Sequence, residues 1–334
     1  MSKRVSPLFI STIVALSLTV AACSSKTKSS SSQAPTFGYY TSYLKDKLYT
    51  LSKIKEQNHI DYSFAFVTDL HWDYNTKRTP FLLKTIQEQY PLDKIVLGGD
   101  YISKDYDDID EAKAMIEECI EPFSSFNYMA IIGNHDSNNN DSEHQTPQIP
   151  DVKIYNIINN SNNEYPYSLE KDEQNKICSF YLDSGTGMGT FSDFNQKQFL
   201  YDNLMSLDAS WNVLIFIHII FDGSYENNNL SVIQKAGIDF TSYLDSFSNQ
   251  LECQIIGVFS GHSHLDHLDT TSYSCPFITT TCDSLGVYNP YYNIYPRKKD
   301  SVSEQAFDIV QVDTHSHRVY LTRIGGGSDR YYSY

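Results

Sequence analysis

The stretch YSFAFVTDLH, residues 62–71, decides the fold. Its first six positions are mostly apolar or aromatic, which predicts a buried strand over residues 62–67. The strand runs directly into Asp69 and His71, and both residue types bind metal ions. In extended backbone the two side chains of an Asp-x-His sequence point to the same side. The stretch therefore predicts a strand whose carboxyl end carries a pair of metal ligands.

Four later stretches repeat this arrangement. Their apolar runs are Lys94–Leu97, Tyr128–Ile132, Val213–Ile217 and Ile255–Phe259. The residues that follow these runs are, in order, Asp100; Asn134, His135 and Asp136; His218; and His262 and His264. In an open α/β sheet, side chains beyond the carboxyl ends of the strands meet at one edge. Because a cluster of carboxylates and imidazoles is unfavourable without a cation, the five strand ends together predict a metal site.

Apolar residues at helical spacing fill the intervals between the first three predicted strands. One pattern runs from Pro80 to Tyr90, and a second runs from Ile109 to Cys119. This alternation of strands and helices predicts βαβ units and a segment of parallel sheet. The acidic run 105–111 lies where the second helix begins, so we interpret it as favourable charge at a helix N-terminus rather than as a metal site.

The ordered motifs Asp-x-His, Gly-Gly-Asp, Gly-Asn-His-Asp, His and Gly-His-x-His resemble those of the calcineurin-like metallophosphoesterase superfamily, and they cover nearly all of residues 61–265. The resemblance implies an α/β fold: an αββα four-layer sandwich of two mixed β-sheets flanked by helices, with a dinuclear metal site at the strand C-terminal ends. It implies one domain, over residues 37–324, and the glycines at 325–327 predict a C-terminal tail over residues 325–334. The candidate strands of the second sheet are Phe180–Leu182, Phe277–Thr281, Phe307–Val312 and Arg318–Ile324.

The same resemblance implies a ligand set for two divalent metal ions. Manganese, iron and zinc all suit such mixed ligands, and the sequence leaves the identity open. The implied ligands are Asp69, His71 and His264 for the first ion, Asn134, His218 and His262 for the second, and Asp100 as a bridge between them. His135 would donate a proton to the leaving group, with Asp136 orienting its imidazole. The implied reaction is hydrolysis of a small phosphorylated substrate, a phosphomonoester or a phosphodiester, by metal-activated hydroxide.

Two positions depart from the patterns of this superfamily. Relatives often continue the fourth motif as His-x-Pro, whereas this chain has Ile220 at the position of the proline. Purple acid phosphatases place a metal-binding Tyr three residues after the Asp of Gly-Asp, and here that position is Ser103. We therefore do not expect a purple ferric-tyrosinate enzyme.

The N-terminal region predicts export. Lys3 and Arg4 precede an apolar run, residues 8–22, that is shorter than the roughly 20 residues of a membrane-spanning helix. The run closes on small residues before Cys23 and resembles the lipobox of bacterial lipoproteins. Residues 1–22 are thus a predicted lipoprotein signal peptide and residues 23–36 a Ser-rich tether. The prediction is a protein lipid-anchored through Cys23 to the outside of the bacterial cell membrane, at the cell surface or periplasmic face; an uncleaved short anchor is the alternative.

Charge and composition restrict the function. The chain has 334 residues, with 25 Lys and Arg against 41 Asp and Glu, for a formal net charge of −16. This balance argues against bulk nucleic-acid binding, which needs clustered positive charge, but a small phosphorylated substrate held by cations remains compatible with it. A non-catalytic solute-binding or adhesive surface lipoprotein that retains the fold is the alternative function.

Residues outside the motifs are less informative. Cys275 and Cys282 could form a disulfide in an exported protein, although a buried thiol is the commoner state of such residues. Four histidines have no matching set of partners in the sequence, and we interpret them as surface or core residues: His144, His267, His315 and His317.

Overall fold

The computed structural model describes residues 38–139, 146–184, 191, 193–220, 238–290 and 295–334. The predicted signal peptide, the tether with Cys23, and His144 lie outside the described residues. The described residues form one compact unit. Among the described helices, none combines the length and the apolar composition needed to cross a bilayer.

The described helices and strands alternate over the first half of the domain. The helices are α1 (Gly38–Gln57), α2 (Thr79–Gln89), α3 (Ile109–Ile120), α4 (Asp151–Ile158), α5 (Phe194–Met205) and α6 (Ile238–Ser248). The strands are β1 (Tyr62–Val67), β2 (Lys94–Leu97), β3 (Tyr128–Ala130), β4 (Ser168–Asp172), β5 (Ile177–Leu182), β6 (Asn212–Ile217), β7 (Gln254–Ser260), β8 (His267–Asp269), β9 (Phe277–Thr279), β10 (Ala306–Asp313), β11 (Arg318–Gly325) and β12 (Arg330–Ser333). The five predicted motif strands and the helices predicted from Pro80 and Ile109 are confirmed, and the Asp108 side chain caps α3 by accepting a bond from the backbone N–H of Asp110.

The twelve described strands form two mixed sheets of six strands each. The first sheet has the order β12-β11-β10-β1-β2-β3, in which β1, β2 and β3 are parallel and the other neighbours are antiparallel. The second has the order β4-β5-β6-β7-β9-β8, in which the four central strands are parallel and β4 and β8 run antiparallel at the edges. Parallel central strands in both sheets bring several loops to the same edge.

Side-chain alternation along the strands builds the four layers. In β1, Phe64 and Phe66 pack between the two sheets, whereas Ala65 and Val67 face a helical layer. In β6, Phe216 packs between the sheets, and its ring centroid lies 5.4 Å from that of Phe64 in an edge-to-face arrangement. Helices α1 to α4 cover the first sheet, and α5 and α6 cover the second. The predicted αββα sandwich is confirmed.

Two structural predictions were wrong. The strands predicted at 307–312 and 318–324 were expected in the second sheet, but β10 and β11 belong to the first, where β10 pairs with β1. An apolar run indicates a buried strand without indicating its partner, which explains this error. Residues 325–334 are not a tail, because β12 forms the edge of the first sheet and the hydroxyl of its Tyr332 donates a 2.8 Å hydrogen bond to Ile256 in the second.

Candidate active site

The seven predicted metal ligands come together at one edge of the two sheets. They follow the carboxyl ends of β1, β2, β3, β6 and β7, so each sheet contributes part of the set. The Asp and His ligands fall into two groups whose ligand atoms lie within 4.8 Å of one another: Asp69, His71, Asp100 and His264, and Asp100, His218 and His262. Asp100 is common to both groups, as expected of a bridging ligand.

The first group is arranged around two carboxylates. The Nε2 atom of His264 lies 3.1 Å from Oδ1 of Asp69. The Nε2 atom of His71 lies 4.0 Å from the same oxygen and 3.8 Å from Oδ2 of Asp100. These separations are compatible with ligands that share one ion.

The second group includes the amide ligand. The Nε2 atom of His218 lies 3.2 Å from Oδ2 of Asp100, the same oxygen that faces His71. The Nδ1 atom of His262 lies 2.8 Å from Oδ1 of Asn134. Asn134 is thereby placed with the residues with which it was predicted to act.

The backbone at five of the seven proposed ligands is left-handed rather than extended. The φ angles are 54° at Asp69, 42° at His71, 58° at Asp100, 64° at His262 and 55° at His264. The prediction that extended backbone aligns the side chains of Asp69 and His71 was therefore wrong. A non-glycine residue in this region costs on the order of 1–3 kcal/mol, and such strain clusters at functional sites.

Hydrogen bonds hold this backbone, and two glycines make room for it. The backbone N–H groups of Asp69 and His71 donate to the carbonyls of Gly99 and Asp100 over 3.0 and 2.9 Å. A Cβ atom at Gly133 would overlap the Asp100 carboxylate, and one at Gly261 would overlap the Asp69 carboxylate. Motif glycines therefore permit the close approach of the two acidic ligands.

Two imidazoles are oriented with Nε2 toward the site. Nδ1 of His71 lies 3.1 Å from the carbonyl oxygen of Ile102, and Nδ1 of His218 lies 2.6 Å from that of Gly98. Among the described residues, the buried Nε2 atom of His71 has no hydrogen-bond partner, and that of His218 faces the Asp100 carboxylate over 3.2 Å. Metal-binding histidines are oriented in this way by bonds from their second nitrogen. The residues present therefore fit divalent metal ions.

The pKa values of three of the proposed ligands favour metal binding, and that of a fourth opposes it. Burial lowers the pKa of both His71 and His262 to about 4, which keeps these imidazoles neutral as metal ligands require. Burial opposes ionisation of Asp69, but the adjacent His264 lowers its pKa to about 2. Burial also disfavours a charged His218, yet Asp100 raises its pKa to about 10. Because ligation needs a neutral imidazole, a cation bound by His218 has to displace that proton.

The two residues predicted to handle the leaving group have different surroundings. His135 is partly buried, and its ring centroid lies 5.0 Å from that of His71. Its Nδ1 atom has no hydrogen-bond partner among the described residues. His135 thus lies beside the ligand cluster, next to His71.

Asp136 does not orient the imidazole of His135, and that prediction was wrong. Its buried carboxylate accepts hydrogen bonds from the backbone N–H groups of Asp100, Tyr101 and Gly133, over 3.1, 2.7 and 2.8 Å. Burial and the nearby Asp100 raise the pKa of Asp136 to about 7. The family resemblance implied contact with His135, but both oxygens bind the loops that carry Asp100 and Gly133. Asp136 is therefore a positioning residue for Asp100.

Sequence reasoning missed a buried ion network behind the histidine loop. Arg323 is fully buried, and its guanidinium donates to Asp308 over 2.9 and 3.1 Å and to Asp266 over 2.9 and 2.5 Å. The carboxylate of Asp266 also accepts the backbone N–H of Thr281, whose hydroxyl donates to the carbonyl of His264 over 2.7 Å. Arg323 thereby supports the loop that carries His262 and His264. The alternation of side chains along a strand could have revealed that Arg323 is buried, because it lies on the same face of β11 as Val319 and Leu321.

The phenol nearest the motif is not available as a ligand. The hydroxyl of Tyr101 donates to the carbonyls of Leu97 and Ile131, over 3.2 and 2.7 Å. Ser103 is exposed at the position where a purple acid phosphatase has its ligand.

All five described cysteines are buried free thiols, so Cys275 and Cys282 do not pair.

Comparisons with known proteins identify a family and similar folds. The profile of the family described as calcineurin-like phosphoesterase matches residues 62–266. The fold is similar to that of a dimetal phosphatase from Danio rerio, with a TM-score of 0.57 and 14% identity, over 82% of this chain and 99% of that chain. It is also similar to a purple acid phosphatase from yellow lupin (Lupinus luteus) seeds, with a TM-score of 0.54 and 12% identity, over 81% of this chain and 53% of that chain. No curated protein matches the sequence.

Proposed function

The chain belongs to the calcineurin-like phosphoesterase family, and we propose that it hydrolyses phosphomonoesters or phosphodiesters of a small substrate, with His135 as the general acid. Family membership makes it a hydrolase of phosphoester bonds, and the family implies divalent metal ions.

The observation that carries the proposal is the position of Asp100. One of its carboxylate oxygens faces both His71 and His218, so a single side chain joins the two groups of ligands. The other oxygen accepts the backbone N–H of His135 over 2.9 Å. The bridging position and the proposed acid are thus fixed relative to each other. A protein that only binds a solute needs neither of these features.

The proposed mechanism assigns a separate task to each part of the site. Asp69, His71 and His264 would hold one ion, Asn134, His218 and His262 the other, and Asp100 both. When bound, two such ions lower the pKa of water and neutralise charge on phosphoryl oxygens. His135 would donate a proton to the leaving oxygen, a task for which imidazole is suited near neutral pH. Asp136 would hold the turn that carries Asp100.

Replacing His135 by Ala tests the general acid. With a simple alkyl phosphate, whose alkoxide leaves poorly, we expect a loss in kcat of about 10²- to 10⁴-fold. With a 4-nitrophenyl ester we expect a much smaller loss, because nitrophenolate leaves without being protonated. Purified protein supplied with Mn²⁺ would be assayed on monoesters and diesters of both kinds.

The exposed His317 provides a matched control, since His317→Ala removes an imidazole far from the site. Equal losses on alkyl and nitrophenyl esters would show that His135 acts in binding or structure rather than as an acid. The ratio of diester to monoester turnover in the same experiment identifies the class of ester preferred.

We also propose that the protein is exported and anchored to the outside of the bacterial cell membrane by lipid at Cys23. The support is the sequence of residues 1–23, a charged start, a short apolar run and small residues before the cysteine. Expression of the full chain in a bacterium should give a membrane-bound protein that begins at a diacylglyceryl-modified Cys23. Cys23→Ala should retain the signal peptide and lose the lipid. Mass spectrometry of the N-terminus decides, and an unmodified Met1 in the wild-type protein would refute the anchor.

A further inference from the structure

A second cluster of metal-binding residue types lies at the opposite end of the first sheet from the active site. His59 and Asp61 precede β1, and His315 lies in the turn between β10 and β11. We propose that these three residues bind one transition-metal ion of the zinc type, in a site distinct from the active site. The length of β1 separates the two sites by roughly 20 Å.

The distances within this cluster suit a zinc ion. Nδ1 of His59 lies 2.8 Å from one oxygen of Asp61, and Nδ1 of His315 lies 3.7 Å from the other. The three ligand atoms lie within 4.8 Å of one another, and the two imidazole centroids are 3.9 Å apart. Two ligands on a tetrahedral zinc, with bonds of about 2.1 Å, are separated by about 3.4 Å. The observed separations lie on both sides of this value, so small rotations bring the ligands into place.

The surrounding hydrogen bonds hold the three residues in register. The two oxygens of Asp313 accept the backbone N–H groups of His59 and His315, over 3.2 and 3.0 Å. The carboxylate of Asp61 accepts the backbone N–H and the hydroxyl of Thr314, over 2.9 and 2.6 Å. Supporting bonds of this kind fix the ligands of metal sites before the ion arrives. Asp313 therefore aligns two segments that are far apart in sequence.

The exposure and chemistry of the cluster favour a particular class of ion. The side chain of Asp61 is 12% exposed, whereas those of His59 and His315 are 64% and 65% exposed, which leaves room for water as a further ligand. Two imidazoles and one carboxylate suit Zn²⁺, Cu²⁺ or Ni²⁺ rather than Mg²⁺ or Ca²⁺. A bound ion would clamp the start of β1 to the β10–β11 turn, and it would stabilise the folded state by binding that state alone.

Counting bound zinc tests the proposal without relying on enzymatic activity. The full chain would be dialysed against Zn²⁺, and protein-bound zinc would be measured for wild type, His59→Ala, His315→Ala and His317→Ala. We expect both cluster variants to bind one equivalent less than wild type, and His317→Ala to bind the same number as wild type. The comparison holds whatever the active site contains, so it is independent of the proposed function.

Thermal unfolding provides a second measurement. Zn²⁺ should raise the Tm of wild type and of His317→Ala more than that of either cluster variant, whereas with a chelator all four proteins should unfold at similar temperatures. Equal zinc content in wild type and in both cluster variants would overturn the proposal. That result would mean that His59 and His315 contact Asp61 without binding a metal ion.

Discussion

Asp100→Asn is expected to lower kcat/KM for phosphate esters by more than about a hundredfold and to reduce the metal content of the active site. Loss of a residue that merely supports a metal ligand typically costs 10- to 100-fold, and Asp100 is placed as a ligand in both groups. The substitution keeps the size of the side chain and removes its charge. Activity and bound metal would be measured on the same preparations.

The direction in which the new amide points explains why the effect should be large. Oδ1 of Asp100 accepts the backbone N–H of His135, so the oxygen of an asparagine is held at that position. Its NH₂ group then replaces Oδ2, the atom that faces both His71 and His218. A donor at that position repels a cation instead of binding it. One substitution thereby disturbs both metal positions.

A matched control separates this effect from loss of a charge elsewhere. Asp110 lies in α3 with a side chain that is 82% exposed, and Asp110→Asn should retain wild-type activity and metal content. The metal-free Asp100→Asn protein should remain folded, because a neutral side chain lessens the charge buried in the cluster. Full activity and full metal content in Asp100→Asn would contradict the assignment of Asp100 as the bridge.

The meeting of the seven proposed ligands at one edge of the sheets was predictable from sequence, because short motifs fix residue type and strand end together. The direction of a side chain within a loop is not fixed in this way. Asp136 follows His135 directly, yet it binds the backbone of other loops. Likewise the pairing of β10 with β1 depends on packing across the whole sheet, which an apolar run over residues 306–313 does not encode.

Residues that act through distant partners were hardest to predict. His59 and Asp61 form a common two-residue pattern, and their partner His315 lies more than 250 residues later in the chain. Arg323 is a buried charge within a mostly apolar strand, and its partners Asp266 and Asp308 come from two other segments. Only the fold brings such groups together. The sequence can show at most that a charge lies on the buried face of a strand.

Arg323→Leu is expected to lower the free energy of unfolding by about 3 kcal/mol and also to weaken metal binding at the histidine loop. Removal of one partner from a buried ion pair typically costs about 3–5 kcal/mol, because the other charge is left buried and uncompensated. Burial opposes ionisation of Asp308, but Arg323 and Arg330 hold its pKa well below the usual value. Arg330 also contacts both Asp308 and Asp266, so it compensates part of their charge when Arg323 is removed. We therefore expect a loss of stability at the lower end of this range.

The structure gives this variant two measurable consequences. Without Arg323, Asp266 loses its two shortest ion-pair bonds, and the path through Thr281 to the carbonyl of His264 is loosened. Urea unfolding in the presence of a chelator measures the free energy of unfolding without metal. Metal titration measures the affinity of the histidine loop for metal, which we expect to fall by about 10- to 100-fold.

Arg318 supplies the control for Arg323, because it lies on the same strand β11 and is exposed. Arg318→Leu should change the free energy of unfolding by less than about 0.5 kcal/mol. Arg323→Lys keeps the charge but cannot bond both carboxylates in fork geometry, so its stability should fall between those of wild type and Arg323→Leu. A loss in Arg323→Leu no larger than that in Arg318→Leu would mean that Asp308 and Asp266 are satisfied without Arg323. The histidine loop would then be held by Thr281 and by its bonds to the first sheet alone.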